Sequence, residues 1–203
     1  MSSRLAATGI SPNAISTFGL VVGILGALAL VLTRNEDGRT AAFLAAAILI
    51  PLRLLANMLD GMVAVERGLT SRVGELYNEV PDRLSDAVTL IGAGYAWGGG
   101  DPALGYIAAA VALFVAYVRA QGRVSGADQQ FCGPMSKPNR MFTLCAAAVW
   151  AGLATRTWQP DLDRLVPGGE VIAAALLVII AGGIVTAARR LIRITRQLRD
   201  LDA

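Results

Sequence analysis

The 203-residue sequence has no histidine, little charge and only two cysteines. Without an imidazole there is no histidine metal ligand, no histidine general base and no Ser-His-Asp triad, which removes much hydrolase and zinc chemistry. Cys132 lies in a predicted loop and Cys145 in an apolar block, without metal-ligand spacing, so a disulfide scaffold is not expected. Charged residues make up 16% of the chain, against about 25% in a typical soluble domain. With 55% hydrophobic residues and a mean hydropathy of +0.55, the composition places the chain in lipid.

The apolar residues are gathered into blocks, each near the roughly 20 residues needed to cross about 30 Å of hydrocarbon. Six such blocks predict spans at about 14–33, 41–63, 76–98, 103–121, 141–157 and 170–188. The expected fold class is therefore all-α: one polytopic domain over 1–203 with six transmembrane helices. It has an interfacial segment at 1–13 and a basic helix at 189–203. The first block ends at Thr33 and Arg34 without a small-residue cleavage pattern and reads as a retained span.

The formal charge of +3 sits mostly beside membrane ends, notably Arg189, Arg190, Arg193, Arg196 and Arg199. Topology and anionic-lipid contact account for it without nucleic acid. The connections holding Arg67 and Arg72, and Arg119 through Arg140, are basic; those at Arg34–Arg39, Asp101 and Asp161–Glu170 are neutral or acidic. This alternation puts both termini in the cytoplasm of what is expected to be a bacterial inner or plasma membrane.

Local signals refine the picture. Ser11 before Pro12 reads as an N-cap with proline at the first helical position. Gly19, Gly23 and Gly26 favour close helix contact, or leave clearance for a ligand headgroup. Gly98-Gly99-Gly100-Asp101-Pro102 is a tight turn, and Gly182-Gly183 permits a helix contact or a bend. The glycine- and proline-interrupted stretch 122–140 is either a connector or a lid over a site on the cytoplasmic side.

Polar residues concentrate between Asn57 and Asp82. Asn57 and Asp60 share a helix face with the small residues Gly61 and Ala64 beside them; Asn78 and Asp82 share another, with Gly74 a turn earlier. Two oxygen-bearing faces joined by a short loop can converge at one membrane surface. Such oxygens suit Mg²⁺ or Mn²⁺, and the small residues leave space for a diphosphate against the backbone. Carboxylates this close to the membrane need an ion, a partner or water; an interfacial polar network without a ligand is the competing reading.

Asn57-x-x-Asp60-Gly61-x-x-Ala64-Val65, a spacer of eight residues, then Gly74-x-x-x-Asn78-x-x-x-Asp82 resembles the signature of the CDP-alcohol phosphotransferases. That pattern carries aspartates at all four polar positions and arginine after the alanine; here Asn57, Asn78 and Val65 depart from it. The resemblance implies a membrane enzyme of phospholipid synthesis. It would move a phosphatidyl or substituted phosphoryl group from a CDP-linked donor, with CDP-diacylglycerol favoured, to an alcohol and release CMP. It implies divalent ions around the diphosphate, held here by Asp60, Asn57, Asn78 and Asp82, with Asp82 the catalytic base. Gly61, Ala64 and Gly74 would lie against the nucleotide, and a homodimer is expected.

Amides at two positions remove two negative charges from a set meant to face about four positive ones. Glu66, Glu75 and Glu79 are the auxiliary acids that would compensate. Arg119, Arg123, Lys137 and Arg140 lie on the same predicted side and serve either topology or an acceptor phosphate. Arg53 and Arg83 are placed to pair with the acidic stripe or to contact phosphate. Two other functions compete: a catalytically inactive protein that binds a CDP-lipid or scaffolds lipid enzymes, and a transporter or channel component. The last is disfavoured by a site at one membrane face and the lack of a paired internal repeat.

Overall fold

The computed structural model describes residues 11–66 and 72–201, except for the side chains of Arg72, Glu75 and Arg156. The expected interfacial segment before Pro12, Arg67 and the side chain of Glu75 lie outside the described residues. Among the described residues six α-helices follow one another: α1 (Pro12–Leu32), α2 (Arg39–Glu66), α3 (Arg72–Gly94), α4 (Ala103–Val124), α5 (Lys137–Leu153) and α6 (Val171–Leu201). Two short 3₁₀ turns, Glu36–Gly38 and Arg156–Trp158, complete the regular structure.

Local chemistry sets several helix ends. The Ser11 hydroxyl accepts from the Ala14 amide at 3.2 Å and Pro12 opens α1, as the sequence predicts. Gly98 and Gly100 have φ of +69° and +72°, a left-handed conformation that suits glycine. Their turn receives the Glu170 amide on the Gly98 carbonyl at 2.9 Å, which ties it to the start of α6. The last apolar block extends as one helix, α6, through the basic segment after residue 188 to Leu201.

Among the described residues four segments are long and apolar enough to cross a membrane: α1, α2 with its preceding turn, α4 and α6. The sequence predicts six. α5 has only 17 residues, and α3 is polar along the face that carries Glu79, Asp82 and Asp86. The residues that make α3 interesting are the ones that lower its hydropathy.

Helix α1 packs on α2 and α3, α3 on α4, α4 on α6, and α2 on α5. Leu30, Phe43, Leu90, Leu144, Ile172 and Leu176 are fully buried in the shared core, interleaved with Ala46, Ala93, Ala108 and Ala148. Small residues let the backbones approach. A Cβ at Gly92 would stand 2.7 Å from the Ala27 carbonyl oxygen.

The α1 glycines have a more specific use. A Cβ at Gly23 would fall 2.1 Å from Ser85 Oγ, and one at Gly19 would fall 2.9 Å from Arg53 Nη1. The glycine stripe therefore makes room for two side chains of the polar site, which decides for packing over headgroup clearance. Gly23→Val is expected to destabilise by about 1–3 kcal/mol through overpacking; an unchanged thermal unfolding midpoint in micelles would count against this role.

Candidate active site

Asn57 and Asp60 lie one turn apart on α2; Asn78 and Asp82 lie one turn apart on α3. Asp60 is 2% exposed, and its Oδ2 accepts from Ser16 Oγ of α1 at 2.7 Å. Its Oδ1 and the Oδ1 of Asn57 are both buried without a hydrogen-bond partner. Buried polar oxygens are normally satisfied, so these two have acceptor capacity that a cation could use.

Asp82 is 3% exposed and surrounded by cations from three helices. Its Oδ1 accepts from Arg53 Nη2 at 2.9 Å and from Lys137 Nζ, while its Oδ2 lies 3.2 Å from Arg83 Nη2. Arg53 is fixed in turn by donating Nε to Ser85 Oγ at 2.9 Å. Lys137, ahead of the apolar run of α5, is drawn down to about 7 by burial and by the neighbouring Arg53 and Arg140; the Asp82 carboxylate in contact with it favours the ammonium form.

The position of Lys137 depends on Arg140, one turn on. Arg140 is 2% exposed, donates Nη2 to Asp86 Oδ2 at 2.5 Å and donates Nη1 to the Met135 carbonyl at 3.1 Å. The Met135 amide donates to Thr186 Oγ1 at 2.9 Å, and a Cβ at Gly133 would stand 2.4 Å from Thr186 Cγ2. The segment between α4 and α5 is thus bound down on α6, and Phe131 and Ser136 from it, with Lys137 and Pro138 of the first turn of α5, line the cavity beside Asp82. The stretch connects two helices and also contributes to the cavity wall.

That cavity encloses about 660 Å³. Asn57, Asn78 and Asp82 line it together with Arg83, Arg119, Lys137, Arg140 and Arg190, and Leu54, Met58 and Val115 supply apolar wall. Arg190 is 5% exposed and donates to the carbonyls of Val115 at 3.0 Å and Cys132 at 3.1 Å. Four of the polar positions singled out by spacing therefore come together, with Asp60 set deeper against α1.

Other predicted residues sit apart from the cavity lining. Arg123 is exposed, and Glu66 is exposed at the end of α2. Gly61 and Ala64 are half-buried, with open space around a Cβ at Gly61; Gly74 is half-buried in the first turn of α3. Glu79 lines the cavity, but its carboxylate is engaged by Arg83 at 2.8 Å and Arg119 at 2.6 Å. Sequence reasoning did not single out Ser16, Ser85 or Arg190 for the site. No local signal marks the two serines; an arginine just beyond an apolar span was the available sign for Arg190.

The donor set fits one divalent ion better than two. Asn57 and Asp60 offer two buried, unpartnered oxygens on one helix face, which suits a hard cation. Around Asn78 and Asp82 there is one carboxylate, already in contact with three cations. Among the described residues no group of three or more histidine, cysteine, aspartate or glutamate side chains is placed to hold a metal.

Comparison with known proteins places this geometry. The profile of the CDP-alcohol phosphatidyltransferase family matches residues 9–186. A phosphatidylinositol phosphate synthase of Streptomyces avermitilis is 28% identical over 96% of this chain and 76% of its own length. One from Mycobacteroides abscessus is 26% identical over 75% of this chain and 68% of its own. The fold is that of the Mycobacterium tuberculosis phosphatidylinositol phosphate synthase. Its crystal structure with manganese and citrate aligns with a TM-score of 0.74 at 20% identity, over 96% of this chain and 88% of that one. Its structure with CDP-DAG bound aligns with a TM-score of 0.72 at 21% identity, over 95% and 90%. A match that runs through nearly nine-tenths of the sequence, on a fold that brings Asn57, Asp60, Asn78 and Asp82 to one place, settles the relationship: the chain belongs to the CDP-alcohol phosphatidyltransferase family.

Proposed function

We propose that the chain transfers a phosphatidyl group from CDP-diacylglycerol to a phosphorylated alcohol of the inositol phosphate type, releasing CMP. The observation that carries this reading is the cavity itself, where the two motif helices meet five cationic side chains. A donor diphosphate and an acceptor phosphate both need such surroundings. The names of the relatives supply the product class, and CDP-DAG in the mycobacterial structure supplies the donor. An apolar groove of about 290 Å³ between α1 and α2, lined by Phe18, Leu52 and Leu59, offers an acyl chain a place beside the site.

In this mechanism the acceptor hydroxyl oxygen attacks the β-phosphorus of the donor. The new O–P bond forms as the bond from that phosphorus to the bridging oxygen breaks, and CMP leaves with the electron pair. Asp82 takes the hydroxyl proton, which requires that Lys137 give way to the acceptor on Oδ1. Asn57 and Asp60 would hold a divalent ion, Mg²⁺ or Mn²⁺, whose charge opposes that of the diphosphate. Ser16 orients Asp60 through its 2.7 Å hydrogen bond, and Arg53 and Ser85 orient Asp82. Arg119 and Arg190 bind the acceptor phosphate: Arg119 pairs with the half-exposed Glu79 and Arg190 with backbone carbonyls, whereas Lys137 and Arg140 pair with the buried carboxylates of Asp82 and Asp86.

The protein would act in a bacterial membrane as a homodimer with six spans and cytoplasmic termini. The alternating charge of the connections supports that orientation. CMP release from CDP-diacylglycerol in mixed micelles, with inositol phosphate, inositol, glycerol phosphate and serine compared, tests the reaction. Release with inositol phosphate alone is expected. Saturable CDP-diacylglycerol binding without release for any acceptor would instead make this a CDP-lipid-binding protein, the reading that the two asparagines favour. Arg190→Gln should raise KM for the phosphorylated acceptor about 10- to 100-fold, the size of a lost charge-assisted hydrogen bond, with kcat much less changed. An unaltered KM would remove Arg190 from acceptor binding.

A further inference from the structure

We propose that Lys137 stands in for a second divalent ion, so that this chain holds one such ion, at Asn57 and Asp60, rather than a pair; the inference rests on the transferase reading of the same site. A pair of ions needs two sets of negatively charged oxygens. One set has free oxygens: the Asp60 carboxylate Oδ1 and the neutral Asn57 amide Oδ1 are buried, unpartnered and one helical turn apart. The second would have to be built on Asn78 and Asp82. Asn78, like Asn57, contributes no charge; the difference is that Asp82, unlike Asp60 Oδ1, already meets Arg53 Nη2, Lys137 Nζ and Arg83 Nη2.

A carboxylate has about four lone-pair positions, and cations of one protein occupy most of those on Asp82. A divalent ion arriving there would face the Lys137 ammonium and the Arg53 guanidinium at close range in a site where charges are poorly screened. Lys137 is not a surface lysine that drifted inward. Its side chain is 12% exposed, and the neighbouring Arg140 is locked to Asp86 and to the Met135 carbonyl, which fixes the start of α5 against α3. The amide at position 78 and the lysine at position 137 are two halves of one exchange: negative charge withdrawn, and a cation of the chain's own supplied in place of a bound one.

The count of ions decides it. Mn²⁺ binding to the purified full chain in micelles, measured by equilibrium dialysis and by electron paramagnetic resonance, should give one ion per chain with the signal of an isolated Mn²⁺. Asn78→Asp should still bind one, because Lys137 remains. Asn78→Asp/Lys137→Gln should bind two, with the exchange-coupled signal of a close pair. Two ions in the wild type, none in the wild type, or two in Asn78→Asp alone would each overturn the proposal. CMP release separates this from the reaction. Two ions with release leaves the transferase and removes the substitution; one ion without release keeps the substitution and removes the transferase.

Discussion

Asp82→Asn lowers CMP release by about 10²- to 10⁴-fold, the range expected when a positioned base is lost, while CDP-diacylglycerol binding changes far less. The amide cannot accept the proton from the acceptor hydroxyl, yet it keeps the shape of the side chain. The variant also leaves Arg53, Lys137 and Arg83 facing a neutral group in a buried site. Part of the effect therefore falls on stability, and unfolding in micelles has to be followed beside turnover. Asp82→Glu provides the second comparison: it retains the charge and moves the carboxylate, so a misplaced base lowers turnover without the unfolding penalty of Asp82→Asn. Wild-type turnover in Asp82→Asn, or a large loss of donor binding with turnover per bound donor unchanged, would remove Asp82 as the base.

Spacing alone put Asn57 with Asp60 and Asn78 with Asp82, because residues three or four apart on a helix share a face whatever surrounds them. The apolar blocks located the helices to within a few residues for α1, α2 and α4, since hydrocarbon length and hydropathy are local properties. α3 and α5 were displaced by about one turn. The α3 helix begins before its apolar part, at Arg72, and ends at Gly94. The α5 helix takes in Lys137 and Arg140, which a hydropathy reading assigns to the loop.

What could not be read was the partnership of residues far apart in the chain. Arg53 was a candidate partner of the acidic stripe, and it does reach Asp82. No pattern in the sequence says that a lysine 55 residues further on meets the same oxygen. That meeting depends on the path of the segment from Ser125 to Ser136, which is set by Gly133 fitting over Thr186 and by the Met135 amide on Thr186 Oγ1. Ser16 is hidden for the same reason: an ordinary hydroxyl in an apolar helix gains its role only when Gly19 and Gly23 let α1 close on α2 and α3. The direct pairings of the motif are local and legible. Charge compensation around it is tertiary.

Arg140→Met is the substitution with the largest expected cost to stability. Arg140 and Asp86 each have 2% of their side chains exposed and share a 2.5 Å contact. Removing one member of a buried pair costs about 3–5 kcal/mol, because the other charge stays behind in a poorly solvating interior. Asp86 already has one oxygen without a partner, so it has little to fall back on. A large drop in the unfolding midpoint is expected, with the N-terminal end of α5 loosening first and Lys137 leaving Asp82 with it. Arg140→Met/Asp86→Leu should recover most of the loss, since replacing both members of a buried pair by apolar groups is often close to neutral. The double variant then isolates function from stability. Full recovery of the midpoint without recovery of CMP release would show that Arg140 positions Lys137 and the segment over the site, and does more than hold α5 on α3. An unchanged midpoint in Arg140→Met would mean that the buried pair contributes little, and the account of how Lys137 is held against Asp82 would fail with it.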